Sequence, residues 1–262
     1  MRIALGVEYD GSRFAGWESQ PAQRTAQACL EGALSRVADH GVRTVCAGRT
    51  DAGVHACGQV VHFDTSAERR MRSWVFGANA NLPGDMAVLW AVPVTDEFHA
   101  RFSARGRHYG YFIFNRAVRP ALGRGRMTWQ CRPMDVQRMQ EAAGHLIGEH
   151  DFSSYRALAC QARNPVRTIH RLDVTREDAL VRIDVIANAF LHHMVRNIAG
   201  VLMAVGTGKR DPDWARQVLE ARDRTQGGVT APPDGLYLLL VEYPSGSGIP
   251  APDRPLAAKL LT

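Results

Sequence analysis

Ile3, Leu5, Val7 and Tyr9 alternate along the chain, the period of a strand that buries one face. Asp10-Gly11-Ser12 turns the backbone. Thr25 stands where a helix cap belongs, ahead of an apolar stripe of Ala26, Leu30, Ala33, Leu34 and Val37. Val42 to Cys46 predicts a short run into a loop, and Gln59 to Asp64 a second strand with Val61 and Phe63 on one face. Ser73 begins a short helix through Trp74 and Phe76, Pro83-Gly84 breaks it, and Val88 to Val92 is extended again.

The second half repeats this order loosely. His108 to Phe114 reads as an aromatic strand with Tyr109, Tyr111 and Ile113 on one face, followed by a basic loop from Arg116 to Arg126. Asp135 caps a helix that turns Val136, Met139, Ala143, Leu146 and Ile147 inward. Thr168 to Thr175 and Leu180 to Ile186 predict a hairpin turned at Glu177-Asp178. Met194, Ile198, Leu202 and Val205 make a helical stripe ended by Gly206 and Gly208. Asp211-Pro212 is expected to cap the next helix with proline at its first position, and Leu236 to Glu242 is a closing strand. Strand-helix-strand-strand order in both halves predicts an α+β protein of two related lobes with mainly antiparallel sheets. The expected divisions are 1–104, 105–244 and a flexible tail over 245–262, rich in Ser, Gly and Pro.

The 262 residues are 45% hydrophobic and 22% charged, ordinary for a globular protein. No apolar run is long enough to cross a bilayer, and five scattered cysteines argue against a disulfide framework. The expected setting is the cytoplasm. A net charge of +6 favours an anionic partner such as RNA. Lys209 and Lys259 are the only lysines among 32 basic residues. Genomic base composition is one source of such a bias, and arginine's planar donor fork suits phosphate. Arg101, Arg105 and Arg107, then Arg116, Arg119, Arg124 and Arg126, are denser than the average and point to a basic groove.

The chemistry concentrates in Ala47-Gly48-Arg49-Thr50-Asp51-Ala52-Gly53-Val54-His55-Ala56. Two glycines let the backbone bend close to a ligand, and Asp51 is the only acid there, with Arg49 beside it to favour its ionised form. Such a carboxylate suits a nucleophile or base. Capping a turn is its plainer role.

This motif resembles the active-site motif of the tRNA pseudouridine synthase A (TruA) family. Other segments match in order: Tyr9-Asp10-Gly11-Ser12-Arg13-Phe14-Ala15-Gly16-Trp17, His99-Ala100-Arg101-Phe102-Ser103-Ala104 and Arg107-His108-Tyr109-Gly110-Tyr111. Asp151-Phe152-Ser153-Ser154-Tyr155, Cys160-Gln161-Ala162-Arg163 and the run from Asn188 to Gly200 follow. Ala231-Pro232-Pro233-Asp234-Gly235-Leu236-Tyr237-Leu238 and Tyr243-Pro244 close the series, so the resemblance runs from Arg2 to Pro244. Glu18, where glutamine is usual, and Gly110, where a basic or bulkier residue is common, depart from the pattern.

The resemblance implies two sheets joined into one central sheet flanked by helices, a catalytic cleft between the lobes, and a homodimer. It implies isomerisation of uridine to pseudouridine at positions 38, 39 and 40 in the anticodon stem-loop of tRNAs, with no cofactor and no metal. Asp51 matches the catalytic carboxylate. Attack at C1′, attack at C6 and removal of the C2′ proton are all compatible with such a group. Tyr109 matches the tyrosine that lies against the base and has been considered for the C5 proton step. Arg196 matches the arginine that pairs with the carboxylate, and Arg49 the residue that assists base extrusion. Arg101 and Arg105 are the expected substrate-binding groove residues.

Other readings have their own residues. His55, His62, His192 and His193 suggest a metal site, but adjacent histidines usually point apart on a helix and no ligand spacing accompanies them. Cys57 and Cys160 form no Cys-x-x-Cys pair, and no Gly-x-x-x-x-Gly-Lys loop supports triphosphate binding. A non-catalytic RNA-binding protein on the same scaffold is the principal alternative, and a metal-dependent nucleic-acid hydrolase a third.

Overall fold

In the computed structural model, which describes residues 1–250, the chain forms two compact units. The first is Met1–Arg105 together with the chain from Tyr237, and the second is Gly106–Leu236. Both are α+β.

In the first unit, β1 (Arg2–Tyr9) lies between β3 (His55–Asp64) and β4 (Met86–Val94), antiparallel to both. The other side of β3 is shared. Short β2 (Thr44–Cys46) pairs antiparallel with Val61 to Phe63, and β10 (Leu236–Glu242) pairs parallel with His55 and Ala56. The closing strand from Tyr237 belongs to the first unit, whereas the sequence reading sets it in the 105–244 lobe. Strand β3 also begins four residues earlier than its apolar alternation suggests, because His55 and Ala56 are ladder residues for β10.

Helix α1 (Ala26–Ala38) starts as expected, with the Thr25 hydroxyl accepting from Ala28 N. Its buried face carries Ala26, Leu30, Ala33, Leu34 and Ala38. Glu31 is buried on the same helix and is fully employed: it accepts from Thr44 N at 2.8 Å, Thr44 Oγ1, Gln27 Nε2 and Arg43 Nη1. That carboxylate ties α1 to the start of β2. Helix α2 (Met71–Asn81) begins two residues before Ser73, and Trp74 packs edge-on to Phe63 at 5.1 Å.

The second unit is ordered β5-β9-β8-β7, from β5 (Gly106–Asn115), β7 (Gly148–Asp151), β8 (Val166–Glu177) and β9 (Leu180–Ala187), all antiparallel neighbours. A three-residue β6 (Thr128–Gln130) lies parallel to the end of β5. Tyr109, Tyr111, Phe112 and Ile113 are all buried, so β5 is covered on both faces. Helix α3 (Val136–Gly144) is capped by Asp135, which accepts from Gln137 N and Arg138 N. It ends before Ile147, which is exposed instead of turned inward. Helix α4 (Met194–Gly206) is apolar nearly all round and buried. Helix α5 (Trp214–Ala221) starts later than expected. Asp211-Pro212 forms the turn before it, with Trp214 N donating to Asp211 O, and Asp213 is the cap residue.

Of the expected 245–262 tail, residues 251–262 lie outside the described residues.

Candidate active site

The ten-residue motif runs from β2 into β3, and its backbone is fixed from several sides. At the entry, Ala47 N donates to Val60 O, while fully buried Gln59 donates to Gly48 O at 2.6 Å and accepts from Gly48 N at 3.4 Å. In the middle, the Thr50 hydroxyl lies 2.7 Å from Tyr9 Oη and its carbonyl accepts from Trp17 N. Past Asp51, Gly53 takes a positive φ of 80°, its N–H donates to Phe14 O, and Val54 N donates to Asp51 O. At the exit, His55 is 2% exposed, stacks on Tyr237 with ring centres 4.5 Å apart, and accepts from Gly11 N through Nδ1 at 3.0 Å. Asp10 Oδ1 is 3.2 Å from the same nitrogen.

These partners come from the Tyr9–Trp17 segment, so two motifs forty residues apart in sequence form one piece of structure. The approach admits no side chain at two places. A Cβ on Gly11 would sit 1.9 Å from Val54 O, and one on Gly16, where φ is +97°, 2.9 Å from Thr50 O. Tyr9, Phe14 and Trp17 pack together beneath, and Arg24 lies 4.2 Å over Phe14 while forking onto Asp85. Asp51 is thus half-buried at the crest of a loop with little freedom.

Arg49 is exposed and pairs with Glu18 at 2.7 Å, so the residue that departs from the expected glutamine is the partner of a motif cation. Burial pushes the Cys46 thiol, just ahead of the loop, up to about 12, against the opposing charges of Arg49 and Arg101. Arg101 and Arg105 are exposed in this unit.

The second unit carries Tyr109 and Arg196. Tyr109 is 8% exposed on β5 opposite Val185, and its ring meets Phe190 edge-on at 5.0 Å. Its neighbour Tyr111 is the core tyrosine: it hydrogen-bonds Thr128 Oγ1 and Pro232 O, and burial pushes its hydroxyl above the ordinary range. Arg196 is half-buried on α4, and its Nε donates to Ala231 O at 2.8 Å while Ala231 N donates to Arg196 O. Arg196 is therefore tied to Ala231 through both its backbone and its side chain. Beside it, Asn197 donates to Tyr155 O and accepts from Thr230 Oγ1 and Arg224 Nη2, and Arg224 reaches Gly228 O. Across the ladder of β5 with β9, His108 and Arg182 share Asp184. Burial pushes that carboxyl up, and the His108 hydrogen bond and the Arg182 charge more than offset it, leaving it below its usual range.

The expected basic cluster is divided. Arg101 and Arg105 belong to the first unit and the rest to the second. Arg107 is buried and donates to Asn188 O, a structural use, because the first residues of β5 are covered. Arg116 bonds Val118 O and Arg119 O and shapes its own loop, and Arg119, Arg124 and Arg126 are exposed. The histidines also differ from expectation. His55 and His62 cap backbone N–H groups of Gly11 and Ala100. His192 and His193 precede α4 instead of lying on it. The left-handed backbone of His193, φ 62°, brings their ring centres to 4.1 Å, so the pair does not point apart.

Tyr9, Thr50 and Gln59 are the site-building residues that the sequence reading passed over. The first two sit inside matched motifs. Gln59 gave a weaker signal, an amide in an apolar strand.

The sequence profile described as tRNA pseudouridine synthase matches residues 6–103 and 142–244. The chain is 60% identical over 98% of its length to tRNA pseudouridine synthase A of Nitrosococcus oceani, covering 99% of that protein. It is 57% identical to the same-named protein of Alcanivorax borkumensis, over 97% of this chain and 95% of that one. With that of Pseudomonas aeruginosa it shares 56% identity, over 95% of this chain and 88% of the other.

Proposed function

Because the chain belongs to the tRNA pseudouridine synthase family, we propose that it isomerises uridine to pseudouridine at positions 38, 39 and 40 in the anticodon stem-loop of tRNAs. The uridine leaves its stack, since C1′ and C5 are hidden within a helix. The bond from uracil N1 to ribose C1′ breaks, the base turns, and C5 bonds to C1′. The C5 proton departs and N1 gains one, so the product is an isomer and neither oxidant nor group donor is consumed. Asp51 is the nucleophile, Tyr109 lies against the base, and Arg196 supplies the cation that balances the carboxylate. Arg49 assists extrusion, and Arg101 and Arg105 hold phosphates. The working form is a cytoplasmic homodimer.

One observation carries this reading: the Asp51 loop is held at entry, centre and exit by buried partners, leaving one half-buried carboxylate at its crest. A nucleophile gains from a fixed direction of attack, and a plain turn cap has no need of such support. The test is pseudouridine mapping after incubating the purified protein in excess EDTA with folded tRNAs bearing uridine at 38, 39 or 40. Pseudouridine at those positions is expected. Modification confined to another arm overturns the site assignment. No pseudouridine at all, with tRNA still bound, favours the non-catalytic alternative, and strand cleavage on adding metal favours a hydrolase.

A further inference from the structure

Phe102 is 77% exposed, although its surroundings are among the most constrained in the first unit. It closes the turn His99-Ala100-Arg101-Phe102-Ser103. His99 Nδ1 accepts from both Arg101 N and Phe102 N at 3.2 Å. His99 N donates to Ser103 Oγ, and Ser103 N donates to His99 O. Ala100 is pinned on both sides: its N–H donates to His62 Nδ1 at 3.1 Å, and its carbonyl accepts from Tyr243 Oη at 2.6 Å. Phe98 anchors the near end of the turn, buried against Tyr243 and His62.

This turn therefore holds a large apolar ring in water by construction. One face of the Phe102 ring already lies on the His99 imidazole, with centres 4.3 Å apart and planes 29° from parallel. Burial and the Arg2 charge hold His99 below its ordinary range, so that imidazole is a neutral ring near pH 7. The Arg101 guanidinium is 5.6 Å from the Phe102 ring centre. The turn is also tied to the approach of the Asp51 motif: Ala100 bonds His62, whose ladder partner on β2 is Val45, two residues before Ala47. A single exposed hydrophobe needs no explanation in general. A rigidly presented ring, half-stacked and next to a cation, has the make-up of a nucleobase platform in single-strand binding proteins.

We propose that Phe102 is a stacking platform for an unpaired tRNA nucleobase beside the catalytic loop, with Arg101 holding the adjoining phosphate. The inference rests on the proposed tRNA substrate and adds a specific base-binding residue to it. Stacking on His99 pre-orders the ring, so little freedom is lost when a base covers the other face. The platform also suits any base, since every base has a flat face.

The test compares Phe102→Ala, Phe102→Leu and Phe102→Trp by titration with purified tRNA, with turnover followed in parallel. Phe102→Ala is expected to weaken tRNA binding about ten-fold while leaving the salt dependence of binding unchanged, since no phosphate contact is lost. Phe102→Leu should stay weak, because a base needs a flat partner. Phe102→Trp should restore affinity, and its added emission should be quenched by saturating tRNA. Wild-type affinity in Phe102→Ala or Phe102→Leu, or Trp emission that tRNA does not move, overturns the proposal. So does a change in sedimentation with unchanged tRNA affinity, which assigns the ring to a protein contact. Binding is read independently of turnover. Failure of the wild type to form pseudouridine therefore tells against the reaction and leaves the platform result standing by itself.

Discussion

The Asp51 loop and the Arg196 segment solve the same problem by different means. Around Asp51, irregular backbone is held by side chains: Tyr9 and Gln59 bond the loop, and the loop's own His55 bonds Gly11, supplying what secondary structure does not. Around Arg196, a regular and almost wholly apolar helix provides the frame, and the carbonyl of Ala231 is among the groups that hold the side chain. A loop offers directions that a helix cannot, at the cost of many partners. A helix brings its own backbone hydrogen bonds, so its rigidity does not depend on side chains from outside.

The two arrangements predict different sensitivities. The largest effect is expected at the loop's crest. Asp51→Asn should lower turnover by at least about a thousand-fold, while tRNA affinity, spread over many phosphate contacts, stays near wild type. Substantial turnover by the pure variant would remove the loop's chemical role. Next is Arg196→Ala, expected to reduce kcat by about a hundred-fold with a smaller change in KM. Arg196→Lys should recover only part of this, because an ammonium lacks the planar fork. An Arg196→Ala loss that falls wholly in KM would mean that the arginine binds and does not position.

The backbone contrast is sharpened by two glycines. Gly16→Ala forces a Cβ against Thr50 O at positive φ and should cost about 1–3 kcal/mol of stability, with a fall in kcat as the loop shifts. Gly144→Ala, near open space at the end of α3, should stabilise by about 0.4–1 kcal/mol without touching kcat. Thermal melts and steady-state assays read both, and equal effects at the two sites would show that the loop is not specially constrained.

A pH titration of stability gives the smallest contrast. Burial, the Arg2 charge and His99 lower the His62 pKa from 6.5 to about 4, so the folded state refuses a proton that the unfolded chain accepts. This contribution is complete above pH 6.5 and is lost as pH falls towards 4, by about 2–3 kcal/mol. Asp184 in the second unit is also depressed. Its stabilisation is present above the ordinary carboxylate value of 3.8 and is lost only below it. Denaturant titrations should therefore show loss from pH 6.5 downwards in wild type and a flatter profile in His62→Gln. An unchanged profile in that variant would assign the acid sensitivity elsewhere.

Much of the fold was legible because its signals are local. Thr25 and Asp135 cap the helices they were expected to cap, and the hairpin of β8 and β9 follows its alternation. The misplaced starts also have local causes. Asp211-Pro212 satisfies a cap pattern yet closes only one turn, since Asp213 and Trp214 continue into the helix proper. What stayed hidden is long-range. No periodicity reveals that Tyr237 stacks on His55, or that Gln59 spends its amide on Gly48. The Asp51 loop was visible as a motif, its support was not, because support depends on partners brought in by folding. Tyr109 and Tyr111 looked alike in sequence. Only their hydrogen bonds and ring neighbours separate the core tyrosine from the one facing Phe190.

The parallel pairing of β10 with the start of β3 has a consequence for synthesis. A ribosome releases β1 to β4 first, then the whole of Gly106–Leu236, and only afterwards the strand that completes the first unit. Until Tyr237 emerges, the nascent chain carries every residue of the Asp51 motif, but the edge of β3 at His55 and Ala56 lacks its partner and the imidazole its stacking ring. Completion of the Asp51 loop's support is thereby deferred until all of Gly106–Leu236 has been made. A chain cut short before that strand would hold the motif without the architecture that makes it stiff.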